Sequence, residues 1–254
     1  MIIFNYSHAI FTPLYLAFRL AFISNPSPEL LSIDEGHLRT FAAAFALAYC
    51  LPIVVLALPG VIIGGVDTKH ALAGIYQQWN LYISLAQRLL IAMSSSTDDF
   101  APGPSAYERQ LASTRSIYRF VLLMAGFAFW VPVALSLGEL MRRVCGLQQT
   151  RPLLRPWEVL FPPSPFGGRS AKDASEGGRW LIQWDTFTGT AATIVWAATL
   201  WWEVHKEEDA WAASPLSALA RSVPWSGLLA GPMGLPVMLL WQRDEAVLGR
   251  GRIW

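Results

Sequence analysis

Charge is what this chain has least of. Only 15% of its 254 residues are Asp, Glu, Lys or Arg, against roughly 25% in soluble domains. The net charge of +1 gives nucleic acid no electrostatic hold, so that partner class is excluded. Two cysteines are present, Cys50 inside an apolar run and Cys145 just past another. A secreted disulfide framework or a zinc site needs more ligands, better spaced. The histidines His8, His37, His70 and His205 are scattered. Asp98-Asp99 stands alone, with no Asp-Asp-x-x-Asp pattern at a helix end, so metal-assisted diphosphate ionisation has no evident machinery. Walker, dinucleotide-binding and Gly-x-Ser-x-Gly signatures are missing too. The expectation is a site with neither metal nor cofactor.

What the chain has in excess is apolar surface. Hydrophobic types reach 54%, with 12 tryptophans. They gather into six runs: Ser7–Ile23, Phe41–Ile63, Ala71–Met93, Ile117–Leu140, Trp180–Trp202 and Pro224–Trp241. Each is about 17 to 24 residues long, enough to cross a hydrocarbon core near 30 Å. The expected fold is all-α, an integral membrane bundle of about six transmembrane helices forming one domain over 1–254. A seventh span at Trp211–Arg221 is the alternative count, although that stretch is short and charged. The first run reads as a retained span and not a leader: no Lys or Arg precedes it and Arg19 interrupts it.

Six alternating spans place eleven basic residues on the side of the N-terminus and five on the other. The positive-inside rule then makes both chain ends cytosolic. Most of the excess lies in the loop 141–179, which is rich in Pro and Gly. Within it, Trp157 and Phe161 are expected interface anchors. A multi-pass protein of this kind belongs in a membrane, and the endoplasmic reticulum is the expected one.

Ionisable groups inside a span are costly and mark functional sites. Arg19, Arg88, Arg119 and Asp185 qualify. The three arginines fall toward one membrane face, where they either snorkel to headgroups or converge on an anionic group. Asp185 is the carboxylate set deepest within an apolar run. Desolvation there favours the protonated acid, which can give a proton where water cannot compete. The competing reading is an interfacial aspartate favoured by the helix dipole. Glu203 follows eighteen residues later, five turns on the same face but about 27 Å away. It is either a second carboxylate of function or a solvated helix end. Gln77, Asn80, Ser84, Gln87 and Arg88 form a polar stripe at three- and four-residue steps. That stripe either bonds a neighbouring helix or lines a cavity walled by Tyr76, Trp79 and Tyr82. Trp184 and Trp196 offer π-faces that stabilise positive charge, or else belong to an aromatic belt. Trp196, eleven residues after Asp185, shares its face.

The Pro13-Leu-Tyr-Leu-Ala-Phe opening, the Gln77-Gln-Trp79 stretch and above all Gln183-Trp-Asp-Thr-Phe-Thr-Gly-Thr-Ala-Ala-Thr-Ile-Val-Trp196 resemble the small fungal membrane-bound terpene cyclases of meroterpenoid pathways, nearest the ascochlorin/ascofuranone type. The Asn-x-x-Trp-Glu segment of pyripyropene-type cyclases is missing. The resemblance implies cofactor-free cyclisation of a prenylated, epoxidised aromatic or polyketide precursor, started by an acid. It implies Asp185 as that acid with Gln183 orienting it, and Trp79, Trp184 and Trp196 stabilising cations. Gln78, Asn80 and Arg88 would hold the polar head, with Glu203 the alternative carboxylate. The partners are then a hydrophobic prenylated small molecule and the lipid bilayer. Two other classes stay open: an exporter of a hydrophobic secondary metabolite, and a membrane scaffold.

Overall fold

The computed structural model describes residues 8–22, 33, 35–59, 61–62, 64–76, 78–94, 106–145, 156–167, 170–206, 227 and 229–250. Every regular element among them is helical. They are α1 (His8–Phe22), α2 (Glu35–Phe45), a π-helical turn (Ala46–Cys50), α3 (Leu51–Ala57), α4 (Val66–Tyr76), α5 (Trp79–Ser94), α6 (Ala106–Val144), α7 (Pro156–Leu160), α8 (Ala174–His205) and α9 (Gly234–Arg250). Contacts divide the chain into two compact units. One holds α2 to α5 with α6 up to Phe120, and the other α1, the rest of α6, and α7 to α9.

Local chemistry explains the boundaries of the first unit. Pro52 has no N–H for the carbonyl four residues back, and the ladder widens into the π turn just upstream of it. Helix α3 stops at Ala57 because Leu58 precedes Pro59, and a residue before proline is pushed out of the α region; Leu58 has ψ 150°. Gly64 and Gly65, at φ 91° and 105°, reverse the chain into α4. The expected span Phe41–Ile63 therefore begins earlier, at Glu35, and ends earlier, at Ala57. The expected span Ala71–Met93 is interrupted after Tyr76 and restarts at Trp79. Part of the polar stripe bonds to its neighbours, Gln87 Nε2 donating to the carbonyl of His37 on α2 at 2.8 Å. An aromatic series, Phe41, Phe45, Tyr49 and Trp79, binds the unit together, with Phe120 of α6 edge-on to Phe45 at 5.7 Å.

In the second unit α8 starts six residues before the expected Trp180. Asp173 caps it, accepting from the N–H of Glu176 at 2.8 Å, while the Glu176 carboxylate accepts from the N–H of Lys172 at 2.7 Å. This reciprocal Asp-x-x-Glu arrangement satisfies donors that a bare helix end leaves orphaned. Helix α8 packs on α1 and α9. Its core joins Ala197 and Trp201 to Leu239, flanked by Trp196, Leu235 and Leu240.

The last expected span, Pro224–Trp241, is redrawn. The chain turns at Gly231, φ 65°, and α9 runs on to Arg250. Thr190 bonds Met233 at 3.1 Å and Trp201 bonds Gln242 at 3.0 Å. Both partners advance together along the chain, so α8 and α9 run parallel. The six-span alternation requires them antiparallel. Residues 207–226, which include the alternative seventh span Trp211–Arg221, lie outside the described residues.

Among the described residues, two helical stretches are long and apolar enough to cross a membrane, Gly36–Leu56 and Glu108–Arg142; a shorter apolar one covers Ile10–Ala21. Exposed hydrophobics recur at four-residue steps: Ile10, Leu14 and Phe18 on α1; Leu81, Leu85, Leu89 and Met93 on α5; Leu123 and Phe127 on α6.

Candidate functional site

The carboxylate singled out by sequence, Asp185, is half-buried in the fourth turn of α8. Its neighbours hold the preceding loop. Gln183 donates both amide hydrogens to the carbonyls of Glu158 and Val159, at 2.7 and 2.8 Å, closing the open end of α7. Trp184 donates its indole N–H to the carbonyl of Pro163 at 3.2 Å and meets Phe187 edge-on at 5.8 Å. The Gln183 amide thus serves as a loop tether. Residues two apart on a helix point in different directions, so the Gln183 and Asp185 side chains do not face each other. The Gln183 Oε1 atom is buried with no hydrogen-bond partner.

Helix α8 is continuous from Asp185 to Glu203, which keeps the two carboxylates about 27 Å apart at the usual helical rise. Glu203 is exposed in the last turn and pairs with Lys206. Trp196 packs against the α8–α9 core. The arginines Arg19, Arg88 and Arg119 are all exposed, and Arg19 lies 6.0 Å above the Tyr15 ring.

The remaining candidates belong to the first unit. Gln78 is exposed in the turn between α4 and α5, Trp79 is half-buried in the first turn of α5, and Arg88 is exposed further along it. Asn80 accepts a bond from Ser84 Oγ through its backbone carbonyl at 3.0 Å. The Trp79 ring lies edge-on to Tyr49 at 5.1 Å, and Tyr49 in turn lies 5.8 Å from Tyr76.

Tyr76 opens onto a cleft whose aliphatic walls sequence reasoning missed; Tyr76 and Tyr82 are the expected walls of a cavity lined by the polar stripe, and no described residue of that stripe is in the lining. The cleft, about 280 Å³ in volume, lies between α3, α4 and α5. Leu51, Pro52, Val55 and Leu56 form one wall, Leu72 and Ile75 another, and Tyr76 and Tyr82 the remainder. Two sequence signals mark the place, the proline at position 52 and the Gly64-Gly65 reversal. The first lies at the start of α3 and the second in the turn that leads into α4.

A second missed cluster lies where α9 meets the end of α8. Trp201, bonded to Gln242, stacks on His205 at 4.8 Å; both are buried. Arg243, also buried, pairs with Asp244 at 2.9 Å, while its Nε has no partner. Among the described residues no group of three His, Cys, Asp or Glu side chains is arranged to hold a metal ion.

Comparison with known proteins bears out the resemblance seen in the sequence. The CtvD domain model matches residues 1–248, and the chain belongs to that family. Its relatives include terpene cyclase ascI of Acremonium egyptiacum, 26% identical over 93% of this chain and 59% of its own. Terpene cyclase ctvD of Aspergillus terreus is 24% identical over 93% of this chain and 64% of its own. Terpene cyclase sdgD of Emericella nidulans is 25% identical over 97% and 61% respectively. The chain therefore spans about three-fifths of the length of the curated relatives it matches. No solved structure matches it.

Proposed function

We propose that this chain is a membrane-bound terpene cyclase that folds a prenylated, epoxidised aromatic or polyketide precursor into rings without a cofactor. The observation that carries the reading is the family match over residues 1–248, with relatives named terpene cyclases. The geometry adds a half-buried acid on a long helix and an apolar cleft.

In this reading Asp185, protonated in a desolvated position, gives its proton to the epoxide oxygen. The carbon–oxygen bond opens toward the carbon that best bears positive charge. Chain alkenes attack that carbon in turn, closing rings, and the final cation loses a proton from carbon. Atoms balance as an isomerisation, and the acid is restored when the proton returns. The aromatic face of Trp184, on the same helix as the acid, suits the passing cations.

The membrane assignment is supported by the two stretches long and apolar enough to cross a bilayer, Gly36–Leu56 and Glu108–Arg142, and by the exposed apolar stripes of α1, α5 and α6. The parallel pair α8 and α9 requires one return crossing between them if both span. Seven crossings then replace six, with the chain ends on opposite sides, and the endoplasmic reticulum is the expected membrane. The test is product formation in yeast microsomes fed an epoxyfarnesyl-aryl substrate, wild type against Asp185→Asn at matched protein levels. Cyclisation by wild type and its loss in the variant support the reading. Conversion by neither, together with substrate uptake into sealed vesicles only, points to an exporter.

A further inference from the structure

We infer that the cleft between α3, α4 and α5 holds one acyl chain of an anionic phospholipid, with the lipid phosphate against Lys69. The inference rests on the membrane assignment and is independent of the acid on α8. The lining residues and Lys69 all belong to the first unit. Six of the eight lining residues are aliphatic, and the only side-chain polar atoms in the lining are the phenol oxygens of Tyr76 and Tyr82. Such walls suit a hydrocarbon chain, which brings no polar group to satisfy. The volume of about 280 Å³ lies just under the roughly 300–1,000 Å³ of pockets that enclose whole small molecules. Leu51 and Ile75, both in the lining, are 55% and 56% exposed, so the cleft opens sideways. In a bilayer a lipid chain can enter it from that side.

A cation stands at one end. Lys69, Leu72 and Tyr76 recur at three- and four-residue steps on α4, so Lys69 shares the helix face that lines the cleft. Its ammonium donates to the carbonyl of Leu58, just past the end of α3, at 3.3 Å. That bond draws the charge across the α3–α4 end of the cleft. An ammonium has three donors and the carbonyl takes one; a phosphate oxygen can take another. Asp67 lies two residues earlier on α4, and residues two apart do not face each other on a helix. Val61 and Ile62, in the turn between α3 and α4, are 95% and 67% exposed. An apolar tip beside a lysine is the pattern of a segment seated at the headgroup boundary. A zwitterionic headgroup brings its own cation to the phosphate and competes with Lys69, which favours a lipid of net negative charge.

The experiment is photolabelling of the full chain in nanodiscs, using phosphatidylserine and phosphatidylcholine that carry a diazirine at mid-chain. Wild type should be labelled on peptides covering 51–56 and 72–76, at least fivefold more by the serine lipid. Lys69→Gln should bring that ratio near one. Leu72→Trp, which fills the cleft, should lower labelling there by both lipids at least fivefold. Lys206→Gln, a basic change in the other unit, should leave the wild-type pattern. Labelling of the exposed stripe of α5 alone, equal labelling by the two lipids, or competition by farnesol and not by unlabelled lipid overturns the inference. If Leu72→Trp fails to accumulate, Lys69→Gln decides alone. Alkaline carbonate washing of the source membranes tests the membrane assignment separately. A chain that washes off refutes that assignment, and the same labelling, with the lipids supplied in mixed micelles, still decides the cleft.

Discussion

Trp201 of α8 donates its indole N–H to the side-chain oxygen of Gln242 on α9, 41 residues along the chain. The bond joins a residue near the end of α8 to one in the middle of α9, and Thr190 meets Met233 in the same register further back. Helices joined by a short hairpin would run opposite ways; these two do not. Trp201 is 2% exposed and stacks on His205, so the contact lies in the interior of its unit.

The direction of α9 has a topological consequence. Glycosylation-acceptor tags fused before His8 and after Arg250 should be modified in opposite patterns, one glycosylated and one not. Matching patterns would show an even number of crossings and return the topology to six spans.

Gln183 and Trp184 should matter for the loop more than for the acid. Gln183→Leu removes two bonds to the α7 carbonyls, worth about 0.5–1.5 kcal/mol each. Trp184→Phe keeps a ring but loses the bond to Pro163, at a cost of about 1 kcal/mol. Limited proteolysis should cut both variants faster near Phe161 and Phe166, with the double variant fastest.

Close packing of α6 against the stretch before α9 leaves no room at two glycines. A Cβ on Gly126 would sit 2.7 Å from the Leu229 carbonyl oxygen, the same oxygen that accepts from Trp130 at 3.2 Å. Gly126→Ala should therefore cost about 1–3 kcal/mol and Trp130→Phe about 1 kcal/mol. Because both act on one carbonyl, their effects should fall short of additive in thermal unfolding in detergent. Gly231 holds a left-handed φ, and a Cβ there would lie 2.5 Å from the Phe129 ring, so Gly231→Ala should unfold earliest of the three.

Asp185 and Glu203, both on α8, should separate in activity. Removing a general acid typically costs about 10²–10⁴-fold in rate, and Asp185→Asn is expected in that range. Glu203 is exposed and paired with Lys206, so Glu203→Gln should stay within about twofold, as exposed pairs contribute little. Microsomal turnover at equal protein levels measures both. The reverse order would move the acid to Glu203.

Much of the local structure was legible in the chain. The apolar runs and low charge mark an all-helical protein, because helices satisfy their own backbone groups in an apolar setting. Pro52, Pro59 and the Gly64-Gly65 pair mark the breaks in the first unit, and Asp173 with Glu176 marks the start of α8. These are effects of steric and hydrogen-bonding rules acting within a few residues. The segment Gln183–Trp196 likewise carried the family, since the resemblance is one of sequence.

Three features were decided by tertiary structure alone. An apolar run has the same pattern whichever way it is traversed, so no periodicity could show that α9 lies parallel to α8. The amide of Gln183 has donors with no address in the sequence; its partners, 24 and 25 residues away, come within reach only when the loop folds back on α8. The aliphatic side chains that wall the cleft are of the same kinds as those on the exposed stripes, and only the packing of α3, α4 and α5 sets the cleft apart from an outer surface. Sequence determines which residues avoid water, and packing determines what each of them touches.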